Sequence, residues 1–258
     1  MNHKEYYDNF HLKMELVKNL GYRELAFRDC EKEHWFRDCC GYNIALLESA
    51  FRAFRIYDKK ANLYHSVAKV RRTPWISYAP KGREEGRQEW QMQFDNAITE
   101  YDFVVDIDNN DELEAYRVAR IIKDFFDVFH VPYSINYSGS KGFHFRVADV
   151  QIPDWGVLEK LEKYATVAQY LREITGTTTN KTIDSVYDKR RLIRLPYSID
   201  GNTGKVVLPL SDIQFDDFAL VDLSPEAVLK NGIGFRGMLT RKGTSTDFLN
   251  MYLKCVNK

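Results

Sequence analysis

Asp106 and Asp108 stand two residues apart at the end of the stretch Tyr101-Asp102-Phe103-Val104-Val105-Asp106-Ile107-Asp108. In an extended strand that spacing projects both carboxylates from one face, about 7 Å apart at Cβ. Like charges held so close repel, and a hard divalent cation relieves the repulsion by taking oxygen ligands from both. A cation there neutralises a polyphosphate and lowers the pKa of an attacking hydroxyl. Two carboxylates at a strand end can equally cap the turn that follows, so the pair alone leaves both readings open. Asp184, in Thr182-Ile183-Asp184-Ser185-Val186, is the third carboxylate of interest; it either completes a site for two metals or caps a loop.

Ser138-Gly139-Ser140-Lys141-Gly142-Phe143-His144 sets two glycines, small hydroxyl residues and a lysine just ahead of a histidine. Glycines permit close backbone approach to a phosphate, amides donate to it, and Lys141 and His144 supply charge. The order strand, GxxxxGK, helix is absent, so this is no P-loop; the bland alternative is a hairpin turn. Arg194 follows the basic run Lys189-Arg190-Arg191 and lies among Leu192, Ile193 and Leu195. A buried unpaired guanidinium is costly, so a phosphate or carboxylate partner is expected for it. Cys30, His34, Cys39 and Cys40 do not match the paired spacing of a compact zinc site, and no structural zinc is expected.

The elements that must carry these groups follow from periodicity. Phe103, Val105 and Ile107 alternate with Val104, Asp106 and Asp108, which predicts a strand. Asn109-Asn110-Asp111 is turn and N-cap chemistry, and Val118, Ile122, Phe125 and Phe129 form the stripe of a helix running to about His130. A hairpin is expected next, residues 133–137 and 143–147 around the Ser138–Gly142 turn, then a helix from near Asp154 to Thr175. Residues 3–60 read as helical with two interruptions, one of them a strand-like segment at 22–27. Residues 63–70 read as a second extended segment and residues 80–90 as an exposed hairpin or flap. Leu192–Pro196 and Val206–Pro209 are expected as strands about a turn at Asn202–Lys205, and the tail from 222 as less ordered.

Composition sets the frame. The chain of 258 residues has 16 Phe and 16 Tyr, enough for a substantial core. Lys plus Arg and Asp plus Glu both number 37, so any grip on nucleic acid is local rather than a property of net charge. No apolar run reaches the ~18 residues of a membrane span, and no h-region follows the first residues. A cytoplasmic protein without a secretion signal is expected, and four cysteines are too few for a disulfide scaffold.

Together these segments resemble the catalytic small subunit of archaeal and eukaryotic DNA primases, within the primase-polymerase superfamily. Asp106-Ile107-Asp108 is similar to that family's acidic motif, and Ser138–His144 to its SGxxGxH-type phosphate motif. Ile183-Asp184 with Arg191–Ser198 and Thr203-Gly204 is similar to its third motif. Tyr6-Tyr7, Arg23–Phe27, Trp35-Phe36-Arg37 and Leu63–Ala68 match its opening segments, so that the resemblance covers roughly residues 5–210.

The resemblance implies an α+β fold, a primase-polymerase catalytic core over 1–222. In it an N-terminal α/β module (1–100) packs against a modified RNA-recognition-like, split βαβ module (101–222), and 223–258 is a C-terminal tail for partner contact. It implies a primase that joins nucleoside triphosphates into short primers on single-stranded DNA with Mg²⁺ or Mn²⁺ in a two-metal site. Asp106, Asp108 and Asp184 are then the catalytic metal carboxylates, with Asp188 the substitute for Asp184. Ser138, Lys141, His144 and Arg194 contact the triphosphate; Arg37, with Arg23 and Glu24, lies at the nucleotide or template end. A primase large subunit, a helicase or another replication protein is the implied partner, with no membrane. A primer-extending or gap-filling repair polymerase and a non-catalytic nucleic-acid-binding subunit are the alternatives. Three departures mark a stripped-down core. No cysteine occurs in 109–143, where the family carries a zinc knuckle; only 39 residues lie between His144 and Asp184; and Asp200 stands where the family has a histidine.

Overall fold

The computed structural model describes residues 1–31, 35–38, 43–58, 60–71, 84–177, 182–184, 187–231 and 243–257. In chain order the elements are α1 (His3–Tyr7), α2 (Phe10–Leu20), β1 (Leu25–Asp29), β2 (Trp35–Asp38), α3 (Ile44–Ala53), β3 (Ala61–Ser66), β4 (Ala68–Val70), α4 (Glu84–Ala97) and β5 (Ile98–Tyr101). Then come β6 (Phe103–Asp108), α5 (Glu112–Val128), β7 (Ser134–Tyr137), β8 (Gly142–Val147) and α6 (Val157–Thr175). The chain closes with β9 (Leu192–Arg194), β10 (Pro209–Leu210), α7 (Asp212–Asp216), α8 (Pro225–Lys230) and α9 (Ser245–Val256). Two compact units share them: the first takes Met1–Glu100, Arg190–Leu208 and the stretch from Leu220, the second Tyr101–Lys189, Pro209–Ala219 and α9.

In the first unit an antiparallel sheet runs β2-β1-β3-β9. Leu25, Phe27, Leu63 and Ile193 occupy alternate positions on its strands and are buried with Leu12, Leu16 and Leu20 of α2 and Leu47 and Phe51 of α3. The alternation is what buries one sheet face against amphipathic helices. Tyr7 accepts from the Ile199 amide at 2.9 Å and Tyr6 donates to the Tyr197 carbonyl at 2.9 Å, so α1 is stitched to the segment after β9.

The second unit is built on the antiparallel order β10-β7-β8-β6. Phe103, Val105 and Ile107 of β6 and Phe143, Phe145 and Val147 of β8 are all buried on one face, against α5 and α6. The Phe103 ring lies 4.9 Å from Tyr164 of α6 and the Phe145 ring 5.8 Å from Phe126 of α5. An isolated antiparallel bridge pairs Ile107 with Ile183, so a short piece of chain flanks the outer edge of β6. Among the described residues no helix is long and apolar enough to cross a membrane.

Several expectations need correction. The part of 80–90 that the structure describes is not a hairpin but the start of α4, and Trp90, Phe94 and Ala97 at i, i+4 and i+7 are buried along it. The tail is not uniformly irregular: α9 starts with a capping box between Thr244 and Asp247 and buries Phe248, Met251 and Cys255. Residues 206–209 do not form one strand opposite 192–196; Leu192–Arg194 pairs with β3, and Pro209–Leu210 with β7. His34, Cys39 and Cys40, weighed above as zinc ligands, lie outside the described residues.

Candidate active site

β6 brings the acidic residues to one face because its alternate side chains are fully buried. Asp106 is about a third exposed (32% for the side chain) and Asp108 is exposed, while Ile107 between them is inaccessible. On one side, register places Asp106 opposite His144 and Asp108 opposite Gly142. His144 Nε2 lies 3.3 Å from Asp106 Oδ1. On the other side the Ile107–Ile183 bridge is flanked by two bonds, Asp184 N–H to Asp106 O at 3.1 Å and Asp108 N–H to Thr182 O at 3.0 Å. Asp184 therefore stands directly across from Asp106, with Cβ atoms about 5 Å apart by ordinary cross-strand geometry.

The result is a transverse row, Asp184, Asp106, His144 and Asn136, on the polar face of the sheet, with Asp108 two residues further along β6. Asp188 is placed differently: its carbonyl accepts from the Tyr101 hydroxyl at 2.6 Å, on the chain just before β6. The segment carrying Asp184 is held by Arg172 of α6, which is buried and donates through Nε and Nη2 to the Ile183 carbonyl at 2.9 and 2.8 Å. From sequence alone Arg172 has no assigned role; an arginine beside Ala168 and Leu171 on the buried side of α6 was the available signal.

The 138–142 turn is tight for definable reasons. Ser138 N–H donates to Gly142 O at 2.9 Å, and the Ser138 hydroxyl accepts from the Gly142 amide at 3.1 Å. Gly139 has φ +84°, a conformation that favours glycine. A Cβ on Gly142 would lie 1.9 Å from Ile107 O, so β8 approaches the acidic strand as closely as only glycine allows. Tyr137 donates to Glu112 Oε1 at 2.8 Å and to the Ser140 carbonyl, tying the turn to α5; burial pushes its phenol well above the ordinary value. Lys141 donates its ammonium to Asn110 Oδ1, beyond the end of β6. The Ser138 oxygen thus organises the turn.

Arg37 and Arg194 belong to the first unit. Arg37 Nε donates to the buried Glu24 at 2.6 Å and its guanidinium lies 5.1 Å from the Trp90 ring centroid. Arg23 is buried and donates to the Ser66 and Val67 carbonyls. Arg194 is buried, 5.1 Å over the Tyr64 ring, and pairs with Asp200, whose Oδ1 also accepts from Asn202 and Thr203 amides at 2.9 and 2.8 Å. Burial pulls the Arg194 pKa down, with Tyr64, Cys30 and Tyr7 acting the other way. The carboxylate partner expected for Arg194 is therefore Asp200, in the place where the resembled family has a histidine.

No family model and no curated protein matches the sequence. Among solved structures, the polymerase domain of Mycobacterium tuberculosis ligase D in complex with DNA matches with a TM-score of 0.57 at 15% identity, covering 88% of this chain and 86% of that one. The chain has the fold of a polymerase domain. The catalytic domain of primase Repb′ in complex with initiator DNA also aligns, with a TM-score of 0.47 at 12% identity over 96% of this chain and 95% of that one. A mixed α/β architecture with this polymerase-domain fold is thus established independently of sequence motifs.

The donor set suits a hard cation: three carboxylates, two directly opposed across strands, in a setting where their repulsion asks for a counter-charge. Among the described residues no three His, Cys, Asp or Glu side chains converge closely enough to hold an ion as they stand. Backbone register sets Asp184 opposite Asp106, with Asp108 two residues along β6. His144 faces the same row, and on the nucleotidyl transfer that the sequence resemblance implies, its replacement by alanine is expected to raise the apparent KM for nucleotide about tenfold with a smaller fall in kcat. Steady-state kinetics on a primed template checks this, and unaltered kinetics would remove His144 from the site.

Proposed function

We propose that this chain is a DNA primase catalytic subunit of the primase-polymerase superfamily, a nucleotidyltransferase that makes short primers from nucleoside triphosphates on a single-stranded DNA template. The observation that carries the reading is the row of Asp184, Asp106 and His144 with Asp108 on the same face. Asp106, Asp108 and Asp184 would hold Mg²⁺ or Mn²⁺, which when bound supplies charge neutralisation of the triphosphate and a lowered pKa for the attacking hydroxyl. His144 and Lys141 bind and orient the phosphates, and the Ser138 turn fixes where both stand. Arg37 and Arg194, on the first unit's sheet, bind phosphate of nucleotide or template, Arg194 by releasing Asp200. No residue forms a covalent bond to the substrate.

With Ile183 counted as its last strand, the second unit's sheet follows the order fourth, first, third, second, then β10. This supports its reading as a modified RNA-recognition-like module of the split βαβ kind. A neutral chain that must hold a template and two triphosphates at once relies on a primase large subunit, a helicase or another replication protein to retain the strand.

Incubating the purified protein with unprimed single-stranded DNA, labelled nucleotides and Mg²⁺ or Mn²⁺ tests the proposal, beside an Asp106→Ala/Asp108→Ala control. Labelled dinucleotides and short oligomers are expected from the parent protein alone; equal product from the control would sink the reading. The likeness to the ligase D polymerase domain favours a second reading, extension of primers or filling of gaps in repair. Metal-dependent product on primed templates only would select it.

A further inference from the structure

Asn136 lies next in the row beyond His144: β7 and β8 pair it directly with the histidine, so both side chains leave the same face of the sheet. Asn136 is 5% exposed and His144 3%. His144 Nδ1 is buried with no hydrogen-bond partner among the described residues. A buried polar atom without a partner is normally avoided, and the residue paired with His144 across the strands is a second polar side chain rather than an apolar one. The apolar side chains of β7, Ile135 and Tyr137, are on the opposite face, so Asn136 is not recruited to fill the core.

We infer that Asn136 is a nucleotide-binding residue which, with Nδ1 of His144, seats one oxygen of the bound nucleoside triphosphate. The inference rests on the nucleotidyltransferase reading. His144 Nε2 faces Asp106, leaving Nδ1 for the ligand on the Asn136 side. An amide offers both a donor and an acceptor, so the pair can accommodate a sugar hydroxyl that donates to Nδ1 while accepting from the amide, or a phosphate oxygen that accepts from the amide and from Nδ1–H of the imidazolium. Either oxygen comes from the same nucleotide. The row then reads from cation ligands to substrate contacts across four neighbouring chain segments, each about 5 Å from the next.

Calorimetric titration of ATP and of inorganic tripolyphosphate with Mn²⁺ into the full chain and into Asn136→Ala, Asn136→Ser and His144→Ala variants tests this, with thermal melting as the measure of folding. Asn136→Ala is expected to weaken ATP about five- to tenfold, and Asn136→Ser, which keeps a hydrogen-bonding group, by less. Because the two side chains share one oxygen, the Asn136→Ala/His144→Ala double variant is expected to lose little more than the worse single one. Parallel loss of tripolyphosphate binding assigns the oxygen to a phosphate, and loss for ATP alone assigns it to the sugar. Unchanged ATP affinity in folded Asn136→Ala and Asn136→Ser, or strictly additive losses in the double variant, overturns the inference while leaving the proposed function in place. If the parent chain itself binds neither probe, the proposed function fails, and this inference with it.

Discussion

Asp106→Asn is expected to cut nucleotide incorporation by at least ~10³-fold, roughly 4 kcal/mol of transition-state stabilisation. The same change is expected to leave the metal-free protein as stable as before, or slightly more so. Asp106 faces Asp184 across the Ile107–Ile183 bridge, and like charges directly opposite destabilise a strand pair by some tenths of a kcal/mol. Asparagine keeps the shape and one acceptor oxygen for His144, so the fold has little to lose. The two signs together distinguish a metal ligand from a structural carboxylate. Melting curves with and without Mn²⁺ provide the check, since a cation that binds only the folded chain raises Tm by mass action. The parent protein should show that rise and the variant should lose most of it; a variant that melts early without metal, or keeps the Mn²⁺ response, would contradict the assignment.

The second large effect is on folding. Gly142→Ala would set a methyl carbon 1.9 Å from Ile107 O, 3.0 Å from Ile107 C and 3.2 Å from Asp108 Cα. All three are backbone atoms of β6, so no flexible side chain can yield. The strands must separate at the Asp108–Gly142 pair, at a cost of about 3 kcal/mol or more. For a chain of this size that corresponds to a fall in Tm of roughly 6–12 °C. Gly139→Ala, which places an alanine at φ +84°, is expected to cost about 1–2 kcal/mol from that backbone conformation. Thermal denaturation of the two variants side by side measures the difference, and a Gly142→Ala protein that melts with the parent would show that β8 does not approach β6 this closely.

The second unit was legible in the sequence where one face of an element is buried and the other is not. The alternation of Phe103, Val105 and Ile107 with Asp106 and Asp108, and the Ser138–Gly142 turn between two alternating runs, fixed both strand face and register. The α4 helix was obscured because only Trp90, Phe94 and Ala97 point inward, among polar residues that resemble a loop. The signal for α9 was present in the Thr244–Asp247 capping box but stood behind a glycine-rich stretch. At the site, local spacing revealed the Asp106 and Asp108 pair, while the facing of His144 to it was implied by the resemblance and rests on the β6–β8 pairing. The position of Asp184 opposite Asp106 and the pairing of Arg194 with Asp200 depend on contacts between segments distant in sequence, which no local pattern encodes.

The grip of Arg172 on the Ile183 carbonyl has an architectural consequence. Arg172 and the Ile107–Ile183 bridge together fix where Asp184 stands, so a helix and a strand edge share control of one carboxylate. Any displacement of α6 is thereby passed on to the spacing between Asp184 and Asp106, which stays in place on β6.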